Sequence, residues 1–310
     1  MKKIIIKEND VGKRLDKFLT KMYPHISKVL FIKWIRNKDI KINNKRCQFN
    51  DTLDLNDEIS IFFDKYLSNE IQKNDFMNSL DKLDVIFEDA NIIIVNKPIG
   101  LLCHSDDNKN NDTLINRIKK YLAKSKQWDW ENENSFTPSL INRIDFNTAG
   151  IIVAAKNANS LKLLNQIFKN REVEKRYYCL VHSNNIQSNW ETINLYIDDK
   201  TEIVKVYSDY QLNTKVAITK FRCVKKIDNY SLVEVVLITG RKHQIRATFN
   251  YLNMPIVGEQ KYTKKEFNDK KFKNQCLVSY FLKFKIVDPK NPLFYLNNLE
   301  FRLKNIWFLN

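Results

Sequence analysis

The chain has 310 residues, 43% of them hydrophobic and 28% charged, and its 52 Lys and Arg against 36 Asp and Glu give a formal net charge of +16. At roughly 100–200 residues per domain, this length predicts two domains, and the apolar share excludes a disordered chain. No apolar run reaches the roughly 20 residues of a membrane span, and because KEND interrupts the opening MKKIII we expect no signal peptide there.

Cysteine, histidine and lysine usage bear on compartment and partners. The five cysteines are scattered and never spaced as CxxC, which excludes a disulfide framework or zinc ribbon and predicts a reducing, cytoplasmic location. With four histidines and no HExxH spacing, we expect no metal site. The excess of cations favours nucleic acid as the partner, although an ordinary lysine-rich surface is an alternative that composition leaves open.

Residues 1–63 are predicted to form a small N-terminal α/β module. Four apolar residues share the i, i+3, i+4, i+7 spacing of an amphipathic helix: Leu15, Phe18, Leu19 and Met22. Ser27 is a suitable N-cap for a second helix. Its apolar positions, which alternate with cations, are Val29, Leu30, Ile32 and Ile35. Short strands follow, and Asn43-Asn44 supplies a turn between them.

The stretch GKRLDKFLTKMY…SKVLFIKWIRNKDIKINNKRC resembles the αL-type RNA-binding module of a ribosomal small-subunit protein and of many RNA-modifying enzymes. The resemblance implies that cations of the second helix and of the following strands face RNA phosphates: Lys28, Lys33, Arg36, Lys38, Lys45 and Arg46. A solvated helix face without a ligand is the alternative interpretation.

A second, larger domain is predicted over residues 81–310, after a linker at 64–80 that loses hydrophobic periodicity and gains Asn, Ser and charge. The segment VIFEDANIIIVNKP predicts a hairpin, residues 151–156 and 231–239 predict strands, and residues 160–170 predict a helix capped by its serine. Many strands with few helices between them predict an α+β fold with a mixed, mainly antiparallel sheet flanked by helices.

Glycine placement singles out four segments. The chain has only five glycines, and we expect such rare glycines to stand where a Cβ would not fit. Four of them lie beside charged or polar residues in KPIG, DFNTAG, TGRKHQIR and PIVGEQKY, at positions Gly100, Gly150, Gly240 and Gly258. Because functional groups concentrate on loops held by rigid elements, these segments predict one shared site.

The side chains of these segments permit several interpretations. Asp145, ahead of an apolar run, either closes an Asx turn or serves catalysis. Tyr177 and Tyr178 point to opposite faces of a strand, so that one packs in the core and the other is available to stack on a base. His243 is more typical of a structural histidine than of a metal ligand, whereas Arg246 is suited to hold a carboxylate with two hydrogen bonds.

Taken in order, NKPIGLLCHS, NRIDFNTAG, KRYYCLV and TGRKHQIR…PIVGEQKY resemble the RluA-type pseudouridine synthases, in the group that carries an αL-type module and acts on large-subunit ribosomal RNA. The resemblance makes 81–310 the catalytic domain. It implies that uridines in RNA are isomerised to pseudouridine with no cofactor and no metal, away from membranes, by an enzyme that we expect to be a monomer. The chain departs from the family pattern at Asn142, Ala149 and Glu259, where His, Ser and Asp are common.

The resemblance also assigns roles to residues. Asp145 matches the catalytic aspartate, Tyr177 the tyrosine that stacks on the base, and Arg246 the arginine paired with the aspartate. Further residues are implied to contact the substrate: Arg143, Ile245, His243, Arg241 and His104. Three alternatives stay open: a synthase that acts on transfer RNA, a non-catalytic RNA-binding assembly factor, and a hydrolase using Asp145 and His243.

Overall fold

The computed structural model describes residues 1–62, 75–106, 111–183, 185–263, 267 and 271–309. Their strands form two separate sheets, one of four strands in the N-terminal unit and one of eleven in the larger unit. Within the described residues, no helix has the length and apolar character needed to cross a membrane. All five cysteines are buried, and none of them is in a disulfide.

The N-terminal unit has two helices and four strands: β1 Lys2–Ile5, α1 Leu15–Met22, α2 Lys28–Arg36, β2 Ile40–Ile42, β3 Lys45–Arg46 and β4 Glu58–Ile61. The strands pair antiparallel in the order β1-β4-β2-β3. Helix α1 is confirmed where it was predicted and buries its apolar stripe. The turn between β2 and β3 is also confirmed, since Asn43 and Asn44 have φ of 50° and 59°.

Helix α2 begins as predicted but faces the core differently. The Ser27 side chain accepts a hydrogen bond from the backbone N–H of Leu30 at 3.3 Å, which confirms the N-cap. The predicted apolar face is partly wrong, because Val29 is 77% exposed while Phe31 and Trp34 are buried. Alternation of apolar and charged residues misassigned this face; the helical spacing i, i+3, i+4 from Phe31 to Ile35 defines it.

Among its described residues, the larger unit has eleven strands and three α-helices: β5 Val85–Glu88, β6 Ile92–Lys97, α3 Leu114–Lys124, β7 Ser139–Leu140, β8 Ala149–Ala155, α4 Ala158–Lys169, β9 Val173–Val181, β10 Glu191–Asp198, β11 Lys205–Tyr207, β12 Lys215–Ile227, β13 Tyr230–Leu237, α5 Gln244–Tyr251, β14 Leu277–Phe284 and β15 Glu300–Arg302. The strand order is β11-β10-β12-β13-β9-β14-β8-β6-β5, with β7 on β8 and β15 on β14. All described pairs are antiparallel except β8 with β14. This confirms the α+β fold with a mixed, mainly antiparallel sheet.

Side-chain alternation in the central strands builds a core on each face of the large sheet. Ile92 and Ile94 pack on one face in the cluster that contains α4, and Ile93 and Val95 pack on the other in the cluster that contains α3. Strand β8 is buried throughout, as expected for a strand covered on both faces. The sheet is therefore a rigid base for the loops at its ends.

Helix α4 differs from the prediction at its start. It begins at Ala158, and its cap is Asn157, whose side-chain oxygen accepts a hydrogen bond from the Ser160 backbone N–H at 2.8 Å. Ser160 is therefore not the cap, and its hydroxyl donates to the Asn91 carbonyl at 2.8 Å. Asn and Ser are similarly good caps, so the sequence did not distinguish two candidates three residues apart.

The predicted linker at 64–80 lies largely outside the described residues. Its described end forms a 3-10 helix, Asp75–Asn78, and Phe76 is buried there against Trp128 and Trp130, with ring centroids 5.4 and 5.6 Å apart. This end therefore packs on the larger unit and does not behave as a linker. The division into an N-terminal module, a linker and a catalytic domain otherwise stays a prediction.

The two units meet at a short 3-10 helix, Glu8–Asp10. Asp10 is fully buried, and its carboxylate accepts hydrogen bonds from Ser135 Oγ at 2.6 Å, Asn134 Nδ2 at 2.8 Å and Lys13 Nζ at 3.2 Å. A buried carboxylate is tolerated when its lone pairs are filled in this way. The contact holds the N-terminal unit against residues 134 and 135 of the larger one.

Candidate active site

A cavity of about 700 Å³ opens where β8, β9 and the loop before α5 meet. It is lined by all eight residues singled out for catalysis or substrate contact: His104, Arg143, Asp145, Tyr177, Arg241, His243, Ile245 and Arg246. Its volume lies within the range of about 300–1,000 Å³ typical of small-ligand sites. The four glycine-marked segments thus supply side chains that gather around one space or directly behind it.

Asp145 belongs to a tight turn just before β8, but its carboxylate does not close that turn. The Thr148 N–H donates to the backbone carbonyl of Asp145 at 3.1 Å, and Gln275 Nε2 donates to Thr148 Oγ1 at 2.7 Å. The carboxylate, 28% exposed, instead accepts a hydrogen bond from Arg246 Nη1 at 2.8 Å. The Asx-turn interpretation therefore does not describe this residue, whose charged group faces the cavity.

Gly150 fixes where this turn lies. It has φ of 131°, and a Cβ on it would lie 2.3 Å from the backbone oxygen of Ser279. Ser279 is paired with Gly150 on one side and with Tyr177 on the other. Because only a glycine permits β8 and β14 to approach so closely, the turn that carries Asp145 is brought two strands from Tyr177.

Arg246, in the first turn of α5, joins two carboxylates. Its Nε and Nη2 donate to the two oxygens of Glu259 at 2.7 and 2.9 Å, and its Nη1 donates to Asp145 Oδ2 at 2.8 Å. The two-point contact expected of Arg246 is therefore made with Glu259, whose side chain is only 1% exposed, and the contact with Asp145 is a single hydrogen bond. Burial lowers the pKa of Arg246, but both carboxylates outweigh it and raise the pKa overall, so the guanidinium stays charged.

His243 precedes α5 in a left-handed conformation, with φ of 52°. Its Nδ1 shares a hydrogen bond with Tyr262 Oη at 2.6 Å, while its Nε2 lies 3.8 Å from Asp145 Oδ2. Burial lowers the pKa of His243, and Asp145 opposes this only in part, so the ring is neutral near pH 7. The 3.8 Å separation is too long for a hydrogen bond and gives no support to a hydrolase dyad of His243 and Asp145.

The two adjacent tyrosines of β9 lie on opposite faces, as predicted. Tyr178 stacks on Tyr280 with ring centroids 3.7 Å apart, away from the cavity. Tyr177 lines the cavity and belongs to the same buried apolar cluster as Ile245. Burial raises the pKa of Tyr177 to about 12, so its hydroxyl stays protonated at neutral pH. Together with Ile245, it gives the cavity an apolar surface of a kind that suits a planar base.

Two functional positions were not identified from the sequence. Glu259 stands out in the sequence only as a departure from the family pattern, although an acid directly after a glycine in a motif is an available signal. Lys97 is fully buried at the end of β6, and its Nζ donates to the carbonyls of Phe146 and Leu101 at 3.0 and 2.8 Å. A lysine ending an apolar strand was the signal here, and it holds the backbone next to Asp145.

Comparison with known proteins agrees with this geometry. A family model described as RNA pseudouridylate synthase matches residues 91–251, more than half of the chain. The chain belongs to the RNA pseudouridylate synthase family. A second family model, the S4 domain, matches residues 13–59. The chain is therefore an RluA-type pseudouridine synthase with an N-terminal S4 domain, an isomerase that acts on RNA, as the motifs implied.

Individual relatives place this pseudouridine synthase more closely. It is 37% identical over 306 residues to an uncharacterized RNA pseudouridine synthase of Mycoplasma capricolum, with 96% of each chain covered. It is 32% identical over 271 residues to ribosomal large subunit pseudouridine synthase D of Borreliella burgdorferi, covering 84% of this chain and 79% of that one. Human RNA pseudouridylate synthase domain containing 4 has a similar fold, with a TM-score of 0.55, 20% identity, and coverage of 73% and 89%.

The S4 domain of this pseudouridine synthase exposes all six cations proposed to bind RNA: Lys28, Lys33, Arg36, Lys38, Lys45 and Arg46. Lys28 has a different environment, because its Nζ lies 3.0 Å from the buried carboxylate of Asp16, which also pairs with Arg14. Burial alone would raise the pKa of Asp16, but hydrogen bonds from Lys28 and Arg14 hold it below its usual value. Lys28 thus stabilises the module in addition to any contact with RNA.

Within the described part of the chain, no group of three or more His, Cys, Asp or Glu is arranged to hold a metal ion. The absence of a cofactor and of a metal from the reaction stays a prediction from the family resemblance.

Proposed function

We propose that this pseudouridine synthase modifies large-subunit ribosomal RNA and that Asp145 is its catalytic carboxylate. The observation that carries the proposal is the carboxylate of Asp145 in the cavity, with the permanently charged Arg246 donating to it at 2.8 Å. Ribosomal RNA is favoured because relatives over 30% identical carry large-subunit names, and the +16 charge and the S4 domain suit a large polyanion.

The reaction needs one ionised carboxylate and no change in composition. The bond between N1 of uracil and C1′ of ribose breaks, the base turns, and a bond forms between C5 and C1′. A proton leaves C5, and N1 gains one. Asp145 acts in this sequence either as the nucleophile at C1′ or as the group that handles charge and proton loss at the sugar. In both cases Arg246 supports the anionic form against the cost of burial.

The apolar residues of the cavity serve the detached base. While uracil is bound to no sugar, it must be held for rotation and kept from water, because hydrolysis would leave an abasic site. We assign this holding role to the ring of Tyr177 and to Ile245. Since the pKa of Tyr177 is about 12, its hydroxyl is a hydrogen-bond donor at neutral pH and a poor base for the C5 proton.

RNA reaches the cavity only with the target uridine extruded, at a cost of a few kcal/mol that is smallest in loops and bulges. Three residues of the cavity lining, the exposed His104 and Arg143 and the partly buried Arg241, would then meet the phosphates around the extruded nucleotide. His104 is included with the two arginines as a neutral donor, since burial and nearby cations lower its pKa.

The test is tritium release from [5-³H]uridine-labelled ribosomal RNA by the purified protein, comparing wild type with Asp145→Asn. Asn keeps the shape of the side chain but removes the charge, and we expect turnover to fall by at least about 10³-fold. The matched control is Asp199→Asn, since Asp199 also lines the cavity but pairs with Lys215 at 2.9 Å. We expect this control to keep turnover within a few-fold of wild type.

Three outcomes separate the alternatives. Equal activity of Asp145→Asn and wild type contradicts the assignment of the carboxylate. Conversion of transfer RNA in preference to ribosomal RNA contradicts the proposed substrate and leaves the enzyme assignment unchanged. Tight RNA binding without conversion of any RNA by the wild type favours the assembly-factor alternative. Mapping pseudouridines in ribosomal RNA from a strain without the protein would then identify the target uridine.

A further inference from the structure

A second groove, of about 600 Å³, adjoins the candidate active site. It lies between the end of α4, the start of β9 and the strands β12 and β13. The groove and the cavity share part of their walls: Phe168, Lys175, Leu237, Gly240 and Arg241 line both. An RNA strand that leaves the cavity past Lys175 therefore enters this groove without crossing another helix or β-strand.

The groove is strongly basic. Its described lining includes seven cations, Lys169, Arg171, Lys175, Arg176, Lys220, Arg241 and Lys285, and one carboxylate, Glu174, for a formal net charge of +6. Glu174 is already paired with Arg176 and Lys285, each at 2.5 Å. The lining therefore keeps an excess of positive charge, which attracts a polyanion.

The far end of the groove carries an aromatic side chain among cations. Trp190 lines it, with Lys220 Nζ 5.0 Å and Arg222 Cζ 4.7 Å from the ring centroid. Arg222 is held there by its ion pair with the buried Glu234 at 2.7 Å. Cations along a groove interspersed with an aromatic ring are the composition of sites that bind single-stranded nucleic acid.

We propose that this groove binds the single-stranded RNA that flanks the target uridine on one side, with Lys169, Arg171 and Lys220 on its phosphates. The inference rests on the proposed function, because it is the extruded uridine in the cavity that brings the flanking strand to the groove. It adds a binding surface on the larger unit that is separate from the S4 domain.

The test compares Lys169→Gln/Arg171→Gln with wild type. Both residues are exposed and lie outside the cavity lining. For a single strand, each lost phosphate contact lowers the slope of log affinity against log salt by about 0.7, so the slope should fall by about 1.4. When the salt is lowered from 1 M to 0.1 M, the affinity of the variant should therefore rise about 25-fold less than the affinity of wild type. We expect that difference in KM for a ribosomal RNA fragment, with a much smaller change in kcat.

The matched control is Lys225→Gln/Lys226→Gln. These two lysines are also exposed and also lie in the larger unit. They lie at least about 17 Å beyond Lys220 along β12, and they do not line the groove. Removing the same charge there should change the salt slope and KM little. Thermal unfolding of both double variants checks that neither substitution disturbs the fold.

Substrate length gives the second measurement. Trimming the RNA on the side that enters the groove should raise KM for the wild type and have little further effect on Lys169→Gln/Arg171→Gln, because the two changes remove the same contact. Equal salt slopes for the groove and control variants, or additive effects of trimming and substitution, would overturn the inference while Asp145 keeps its assignment. Conversely, an active Asp145→Asn overturns the proposed function, whatever the salt slopes are.

Discussion

The arginine between two carboxylates offers the sharpest test of how the site is built. Arg246→Gln removes the guanidinium that contacts both Asp145 and Glu259. The Glu259 side chain is 1% exposed, so the substitution leaves a buried carboxylate without its cation, although the Lys261 backbone N–H still donates to it at 2.8 Å. We therefore expect two separate losses, one in stability through Glu259 and one in turnover through Asp145.

The stability loss follows from the burial of Glu259. Breaking a buried ion pair by removing one partner costs about 3–5 kcal/mol, whereas removing both partners is often nearly neutral. For a unit of this size, about 2–4 °C per kcal/mol predicts a fall of roughly 6–20 °C in the unfolding midpoint. The double variant Arg246→Gln/Glu259→Gln should regain most of that fall.

The turnover loss follows from the single hydrogen bond to Asp145. A hydrogen bond to a charged group contributes about 1.5–3 kcal/mol, which corresponds to about a 10–150-fold fall in kcat. The double variant should recover stability but not turnover, because Asp145 still lacks its guanidinium. The assays are calorimetric unfolding and tritium release, applied to wild type, Arg246→Gln and Arg246→Gln/Glu259→Gln. Glu259→Gln alone is the control, because it keeps Arg246 beside Asp145.

Two results would refute this reasoning. A double variant as unstable as Arg246→Gln would mean that Glu259 is not left unpaired by the loss of the guanidinium. A double variant with wild-type turnover would mean that Asp145 does not depend on Arg246, and the physical basis of the proposed carboxylate would be lost.

Two further substitutions test the fold and the RNA-binding module. Gly150→Ala should destabilise the protein strongly, because its Cβ would lie 2.3 Å from the Ser279 carbonyl oxygen. Gly240→Ala is the control, since nothing lies within 4 Å of a Cβ at that position. Equal unfolding midpoints for the two variants would contradict the argument. Lys33→Gln/Arg36→Gln should weaken RNA binding and lower its salt slope by about 1.8 for duplex RNA contacts while kcat is kept, as measured by filter binding at several salt concentrations. An unchanged slope would place the RNA elsewhere.

Local patterns in the sequence predicted much of this protein. The helical spacing of apolar residues from Leu15 to Met22 correctly predicted which face of α1 is buried. Alternation along β9 likewise predicted that Tyr177 and Tyr178 lie on opposite faces of the sheet. The glycine-marked motifs also indicated which segments meet. The resemblance that those motifs carry supplied the pairing of Asp145 with Arg246, two residues that are 101 positions apart.

Only the tertiary structure decided how the charged groups share their partners. Spacing along the chain indicates which guanidinium is available, but the choice between Asp145 and Glu259 for its two-point contact depends on distances across α5 and the loop after Gly258. The same holds for the basic groove, because four of its cations lie within residues 169–176 but the others come from β12, the loop before α5 and the region after β14. Hydrophobic periodicity depends on residues that are close together in the sequence, so the sequence predicts it. Electrostatic pairing depends on how strands that are distant in the sequence pack together, so it requires the tertiary structure.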